Sequence, residues 1–314
     1  MENPQNNTTH RGMLFTRIGA HHALLTALLS FAAVVLQFRA WRWPVCIPRR
    51  RLLSLFVFTF IGAVLTVSPA RAKKIETGFL DRTVSLAGTE YKYQVFVPEN
   101  WTRKQKWPII LFLHGAGERG EDGLVQTQVG IGRAIRMDRS RFPAVVVLPQ
   151  CRKEVWWSQS PMDDLAMKAL EAATKEFHGD PQRTYVTGLS MGGYGTWHLA
   201  GKYPGRFAAI VPICGGILMP DISREQSPDD AKPYTDAASK IGKNTPVWIF
   251  HGGDDPAVPV AESRRMNEAM KALDADVHYT EYPGVGHNSW DNAYTEAELM
   301  TWLFSKSSNV RASK

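Results

Sequence analysis

From about residue 76 to residue 305, short apolar runs alternate with amphipathic stretches, and the two kinds have different periods. Tyr91, Tyr93, Val95 and Val97 recur at every second position, the period of a strand with one face turned inward. With Thr77–Leu86 before them they predict an opening hairpin. Trp107–Leu113, Ala144–Leu148, Ala208–Ile213 and Pro246–Phe250 are apolar almost throughout, as strands covered on both faces are. Val277–Tyr282 is the last strand expected. Between these runs, Gly130–Asp138, Met162–Phe177, Thr235–Ile241, Val260–Leu273 and Thr295–Phe304 read as helices. The second carries Leu165, Ala169, Ala172, Ala173 and Phe177 at helical spacing. Buried strands alternating with helices predict one α/β domain with a mostly parallel central sheet flanked by helices, and antiparallel strands at its N-terminal edge.

One strand, Arg183–Val186, entered through a turn at Asp180-Pro181, leads into Thr187-Gly188-Leu189-Ser190-Met191-Gly192-Gly193 and then a helix-compatible stretch. Strand, tight turn, helix is the context a G-x-S-x-G motif requires. In parallel sheets, sites form beyond the C-terminal ends of the strands. Three further features fall at such ends: His114-Gly115-Ala116-Gly117, His251-Gly252-Gly253-Asp254-Asp255 and Gly286-His287. The chain order is nucleophile, acid, base. A serine hydroxyl needs a base to become a nucleophile, and His287 in its glycine-flanked loop is the best candidate. An acid must hold that imidazole in the right tautomer; Asp255 is favoured by its spacing from His251-Gly252 and by Val258-Pro259 behind it, with Asp254 the competitor. An oxyanion needs two fixed N–H donors, for which Met191 and Ala116 are placed.

The other histidines have quieter readings. His114 and His251 precede glycines at strand ends and read as buttresses of their loops, and His198 lies within the helix after the serine. No set of His, Cys and carboxylates has metal-ligand spacing, and Gly115–Gly120 lacks the Lys-Ser/Thr of a phosphate loop, so no cofactor is implied. Trp156 and Trp157 form either a substrate-binding wall or a hydrophobic clamp on their loop. Glu118 and Arg119 read as an ion pair shaping the loop beside Ala116. Residues 215–245, polar and turn-rich, form either a lid or a plain surface loop. Cys151 and Cys214 end strands about three spacings apart, on the order of 14 Å, too far for a disulfide, so both are expected as free thiols.

Charge changes the picture only at the N-terminus. The net charge is +7, but residues 1–72 hold eight of the 37 basic residues and one acidic residue, Glu2. Residues 73–314 are therefore balanced at 29 of each sign, which excludes a nucleic-acid surface as the source of the excess. Arg49-Arg50-Arg51, the uncharged run Leu52–Val67, and Ala70-Arg71-Ala72 follow the pattern of a secretory signal cut after Ala72. The competing reading is a retained anchor, which would then be the chain's sole membrane contact. A second apolar run, Ala20–Phe38, fits a simple signal poorly and leaves open a later translation start. Residues 1–72 are thus read as a leader and 73–314 as the functional domain, periplasmic or secreted.

Together, Leu113–Gly120, Trp156-Trp157-Ser158, Gly188–Trp197, Val211–Gly216 and Gly286–Asp291 resemble a family of bacterial, often exported, α/β-hydrolases. These are predicted peptidases or phospholipase/carboxylesterases, similar to feruloyl esterases and polyhydroxybutyrate-depolymerase-like esterases. The resemblance covers roughly residues 76–305. It implies an α/β-hydrolase fold, a Ser190–Asp255–His287 triad, an Ala116/Met191 oxyanion hole, and hydrolysis of a small-molecule or polysaccharide-linked carboxylic ester through an acyl-enzyme. Two rival functions stand beside it: a serine peptidase, although no stretch reads as the extra domain by which prolyl-oligopeptidase-like enzymes select peptides, and an inactive carbohydrate-binding or scaffold protein.

Overall fold

A computed structural model describes residues 76–219 and 230–308 of the chain. The leader expected over 1–72, with its cut after Ala72, lies outside these residues, as does the stretch 220–229 in the middle of the 215–245 segment. Among the described residues no helix is long and apolar enough to cross a membrane.

The apolar runs become eight strands: β1 (Gly78–Leu86), β2 (Thr89–Val97), β3 (Trp107–Leu113), β4 (Val145–Pro149), β5 (Gly179–Leu189), β6 (Ala209–Ile213), β7 (Val247–Gly252) and β8 (Val277–Tyr282). The helices are α1 (Gly130–Met137), α2 (Met162–Glu176), α3 (Met191–Lys202), α4 (Lys232–Ile241), α5 (Ala261–Ala272), α6 (Trp290–Thr295) and α7 (Leu299–Ser305). The strands form one sheet in the order β1-β2-β4-β3-β5-β6-β7-β8. β2 pairs antiparallel with both β1 and β4, and the pairings from β4 to β8 are parallel. This is the α/β-hydrolase fold, with its antiparallel strands at the N-terminal edge.

Uniformly apolar strands serve two cores at once. Ile109, Leu111 and Leu113 of β3 pack with Leu165, Trp197, Tyr234 and Met266 on one face. Ile110 and Phe112 pack with Ile131, Ile135, Tyr294 and Leu303 on the other. Successive side chains point to opposite faces, so a strand covered on both sides must be apolar at every position. β2 is apolar at both parities only toward its end: Phe96 joins the second core while Val95 and Val97 join the first.

Three boundaries differ from expectation. β5 starts at Gly179, opposite Trp107, and reaches regular register at Thr184 opposite Ile109, so Asp180-Pro181 forms an irregularity inside the strand. α4 starts three residues early, with Pro233 in its first turn, where a missing N–H costs nothing. The single closing helix expected over Thr295–Phe304 is two helices, because Glu296 is extended (φ −54°, ψ 125°). The Arg141 guanidinium donates to the Thr295 carbonyl at 3.2 Å and the Glu296 carbonyl at 2.6 Å, taking up acceptors that a helix end leaves open. Cys151 and Cys214 are both free and buried, three strand positions apart as expected.

Phe112 has no exposed surface and meets Tyr294 edge-on at 6.1 Å. Phe112→Ala is expected to lower unfolding free energy by about 3–5 kcal/mol in urea titration with an unchanged slope. A loss under about 1 kcal/mol would contradict this packing.

Candidate active site

Ser190 sits between β5 and α3 with φ 53° and ψ −118°, a conformation that side chains rarely adopt. Surrounding backbone holds it there. Its N–H donates to the Ile213 carbonyl at 2.9 Å, and its own carbonyl accepts from the Gly193 N–H at 2.8 Å. The turn is too tight for side chains on either side. A Cβ at Gly188 would collide with the Gly192 carbonyl oxygen, and a Cβ at Gly192 with the Leu113 carbonyl oxygen. The two glycines of the motif are thus required by close backbone approach between β3, β5 and α3.

β7 delivers the acid and the loop after β8 delivers the imidazole. Asp255 Oδ1 accepts from the Ala257 N–H at 2.8 Å and the Val258 N–H at 3.0 Å. Its Oδ2 lies 2.7 Å from His287 Nδ1, and His287 Nε2 lies 2.9 Å from Ser190 Oγ. An ionised carboxylate only accepts, so Nδ1 carries the proton and Nε2 accepts from the serine hydroxyl. The Asp255 side chain is wholly buried, while that of His287 is 26% exposed. Burial opposes the charge on Asp255, but the N–H groups of His251, His287 and Val258 outweigh it and hold the carboxyl well below the usual carboxylate range. Asp254 is exposed and joins this array only through its backbone. The Trp290 ring stands edge-on to His287 at 5.4 Å and limits its rotation. A neutral imidazole so placed can remove the Ser190 proton.

The His114–Gly120 loop is fixed from β4. His114 Nδ1 donates to the Gly115 carbonyl at 2.6 Å, and Nε2 accepts from the Cys151 N–H at 2.9 Å. Complete burial pushes this imidazole down to about 4, which keeps it neutral. The buried Gln150 amide accepts from the Gly123 N–H at 2.7 Å and donates to the Glu118 carbonyl at 3.1 Å. Ala116 opens the 3-10 turn Ala116–Glu118, and Met191 is the first residue of α3. The N–H groups at such positions have no acceptor within their own turn or helix. A Cβ on Gly115 would stand 3.7 Å from Ser190 Cβ, so this loop borders the serine directly.

Two expectations are corrected. Trp157, read with Trp156 as either a wall for a substrate or a hydrophobic clamp on its loop, is completely buried, which leaves the clamp. Its indole N–H donates to the His114 carbonyl at 2.9 Å and its ring meets the His114 ring edge-on, so it presents no face to a ligand. Trp156 is half-buried, edge-on to Tyr194 at 5.6 Å. Arg119 does not shape its loop by pairing with Glu118: its guanidinium binds the Ala116 carbonyl at 3.0 Å and reaches that of Val155. His198 binds Asp163 at 3.0 Å, away from the serine. A cavity of about 640 Å³ runs beside α3, lined by Tyr194, Trp197, Lys202, Ile217, Ala237 and Lys240 among others, and Ser190 does not line it.

Tertiary folding also creates a neighbourhood with no sequence spacing to announce it. The ligand atoms of Cys214, Asp255 and His287 lie within 4.8 Å of one another. Burial pushes the Cys214 thiol up, and Asp255 and His287 already satisfy each other.

The Esterase family model, described as "Putative esterase", matches residues 84–299. Acyl-protein thioesterase 1 of Gibberella zeae is 26% identical over 214 residues, covering 60% of this chain and 87% of that protein. The crystal structure of a thermostable esterase is 33% identical with a TM-score of 0.62, covering 73% of this chain and 63% of that one. The feruloyl esterase module of Clostridium thermocellum, solved with sinapinate, shares the fold at 19% identity and a TM-score of 0.56, covering 72% of this chain and 87% of that one.

Neutral, buried His114 makes a prediction about stability. An unfolded histidine takes up its proton near pH 6.5, whereas the folded chain resists until about pH 4. Between these values the unfolded state binds more protons, so stability rises with pH across that window. Acidification from 6.5 to 4 should cost on the order of 3 kcal/mol through this residue. Urea titrations at several pH values should show the gap between wild type and His114→Gln narrowing by that amount; a gap independent of pH would contradict the burial of a neutral imidazole.

Proposed function

The chain belongs to the Esterase family of ester hydrolases with the α/β-hydrolase fold, and from that premise we propose that it cleaves carboxylic esters through an acyl-enzyme on Ser190. The supporting observation is the unbroken run from Ser190 Oγ to His287 Nε2 at 2.9 Å and from His287 Nδ1 to Asp255 Oδ2 at 2.7 Å. In this reading His287 takes the hydroxyl proton as Ser190 Oγ attacks the ester carbonyl carbon. The carbonyl oxygen becomes an oxyanion and accepts from the Ala116 and Met191 N–H groups. The imidazolium, held by the charge on Asp255, returns the proton to the alkoxide as the carbon–oxygen bond breaks and the alcohol departs. Water then gives its proton to His287 and attacks the acyl carbon, which releases the acid and restores the serine. Each step is a proton transfer or an acyl transfer, so the cycle closes without a cofactor.

The substrate class in this reading is a small-molecule ester, free or linked to a polysaccharide. Trp156, beside Tyr194 one helical turn from Ser190, is the aromatic side chain proposed to flank it. We also propose that residues 1–72 direct export of domain 73–314, with cleavage after Ala72. If the leader were retained, it would supply the membrane contact.

Ser190→Ala is expected to reduce turnover of p-nitrophenyl acetate by at least about 10⁴-fold and to abolish labelling by a fluorophosphonate. Cleavage of aminoacyl-arylamides at comparable efficiency would overturn the ester preference in favour of a peptidase. Folded protein that leaves the probe unreacted would overturn catalysis by Ser190 altogether. The rate should depend on pH, and a profile flat from pH 5 to 8 would contradict proton transfer by His287. N-terminal sequencing of exported protein should begin at Lys73.

A further inference from the structure

Asp255 has a second imidazole beside it. His251, near the end of β7, has no exposed surface. Its Nε2 lies between two acceptors, the Val258 carbonyl at 3.1 Å and Asp255 Oδ2 at 3.2 Å. Two acceptors around one nitrogen require the proton to be on it. Nδ1 must then accept, and the Ser263 hydroxyl, 2.6 Å away on α5 and buried, is the donor. The tautomer of His251 is thus set by the Val258 carbonyl and Asp255 Oδ2, Ser263 anchors the other ring nitrogen, and the Nε2–H lies beside the same carboxylate oxygen that His287 uses. Loop closure alone does not call for a histidine here: Asp255 Oδ1 is already held by the Ala257 and Val258 N–H groups.

We propose that His251, locked by Ser263, is a positioning residue that holds Asp255 Oδ2 in line with His287 and takes up part of its charge. This inference rests on the reading of Ser190, His287 and Asp255 as the reacting triad. Other groups face the pair and enter its pH behaviour. Asp255 is approached by the Cys214 thiol from the end of β6 and the Tyr194 hydroxyl from α3, both protonated across the working range. His251 is approached from β8 by Glu281, whose carboxylate is bound by Arg264 and Tyr279. His287 meets Ser190, Asp255, Cys214 and the ring edge of Trp290. His251 is the member of this group, besides His287, whose ring nitrogen lies beside Asp255 Oδ2.

Loss of that N–H leaves the charge on Asp255 less shared, so Asp255 attracts the proton of the His287 imidazolium more strongly. Neutral His287 is then reached only at higher pH, and the acid limb of the rate profile moves up. The experiment compares the pH profiles of kcat and kcat/KM for wild type, His251→Leu, His251→Gln and Ser263→Ala with p-nitrophenyl acetate. Folding is monitored by thermal melting and by the extent of fluorophosphonate labelling. His251→Leu should lower kcat by about 10–100-fold and raise the acid limb by about 0.5–1 pH unit, with KM within about twofold. His251→Gln keeps a donor at the position of Nε2 and should restore most of both. Ser263→Ala keeps the Nε2–H but removes the hydrogen bond that anchors Nδ1, and should move the limb in the same direction by less.

A folded His251→Leu with the wild-type profile would overturn the proposal. If His251→Leu fails to fold, an unmoved limb in Ser263→Ala together with loss of activity in His251→Gln would do the same. Full activity in Ser190→Ala would instead defeat the triad reading, whereas an inactive Ser190→Ala beside an unperturbed His251 series defeats this inference alone.

Discussion

A carboxylate with no exposed surface must find every hydrogen bond inside the protein, and Asp255 is such a group. Burying an unpaired charge costs several kcal/mol, so the surroundings of Asp255 are constrained more tightly than those of a surface residue. Oδ1 is held by the two amides that follow it in the loop, and Oδ2 by imidazoles from β7 and from the loop after β8. Ser263 on α5 then fixes one of those imidazoles. The parallel pairing of β7 with β8, with His251 opposite Glu281 and Gly252 opposite Tyr282, brings the two loops to the same level. The acid–imidazole pair therefore stands only if this edge of the sheet forms in register.

The serine depends on a different constraint, close approach of main chains. β5 lies between β3 and β6, and Ser190 is bonded to the Ile213 carbonyl at the end of β6. Leu113 at the end of β3 presses against Gly192 on the other side. The His114–Gly120 loop issues from the same strand end and is tied to β4 by His114 and Gln150. Ser190 and the neighbouring amides are thus held by adjacent strands, and the unfavourable φ of Ser190 is maintained from three sides.

Much of this was legible along the chain. Strand parity distinguished the half-buried hairpin from the doubly covered strands, and helical spacing located α2. The nucleophile motif, with acid and imidazole loops at later strand ends, named Ser190, Asp255 and His287 in an order that the sheet brings together. The misreadings share a cause. Trp157 read equally as a ligand wall or a clamp because its neighbours are polar and turn-forming, and only its burial beside His114 separates the two. At the break between α6 and α7 two carbonyls are bound by Arg141, more than 150 residues away, and no local pattern records it.

The sequence by itself determined the fold class, the order of the elements, and which serine, aspartate and histidine fall at strand ends. Periodicity and glycine placement are local properties, and a chain of this composition has few other ways to bury its apolar strands. Only the tertiary structure decided that His251 and Ser263 stand behind Asp255, that Asp254 stands apart, and that Cys214 lies beside His287. Those relations depend on distances between loops joined through the sheet and not through the chain, where a shift of one or two ångströms separates a hydrogen bond from none.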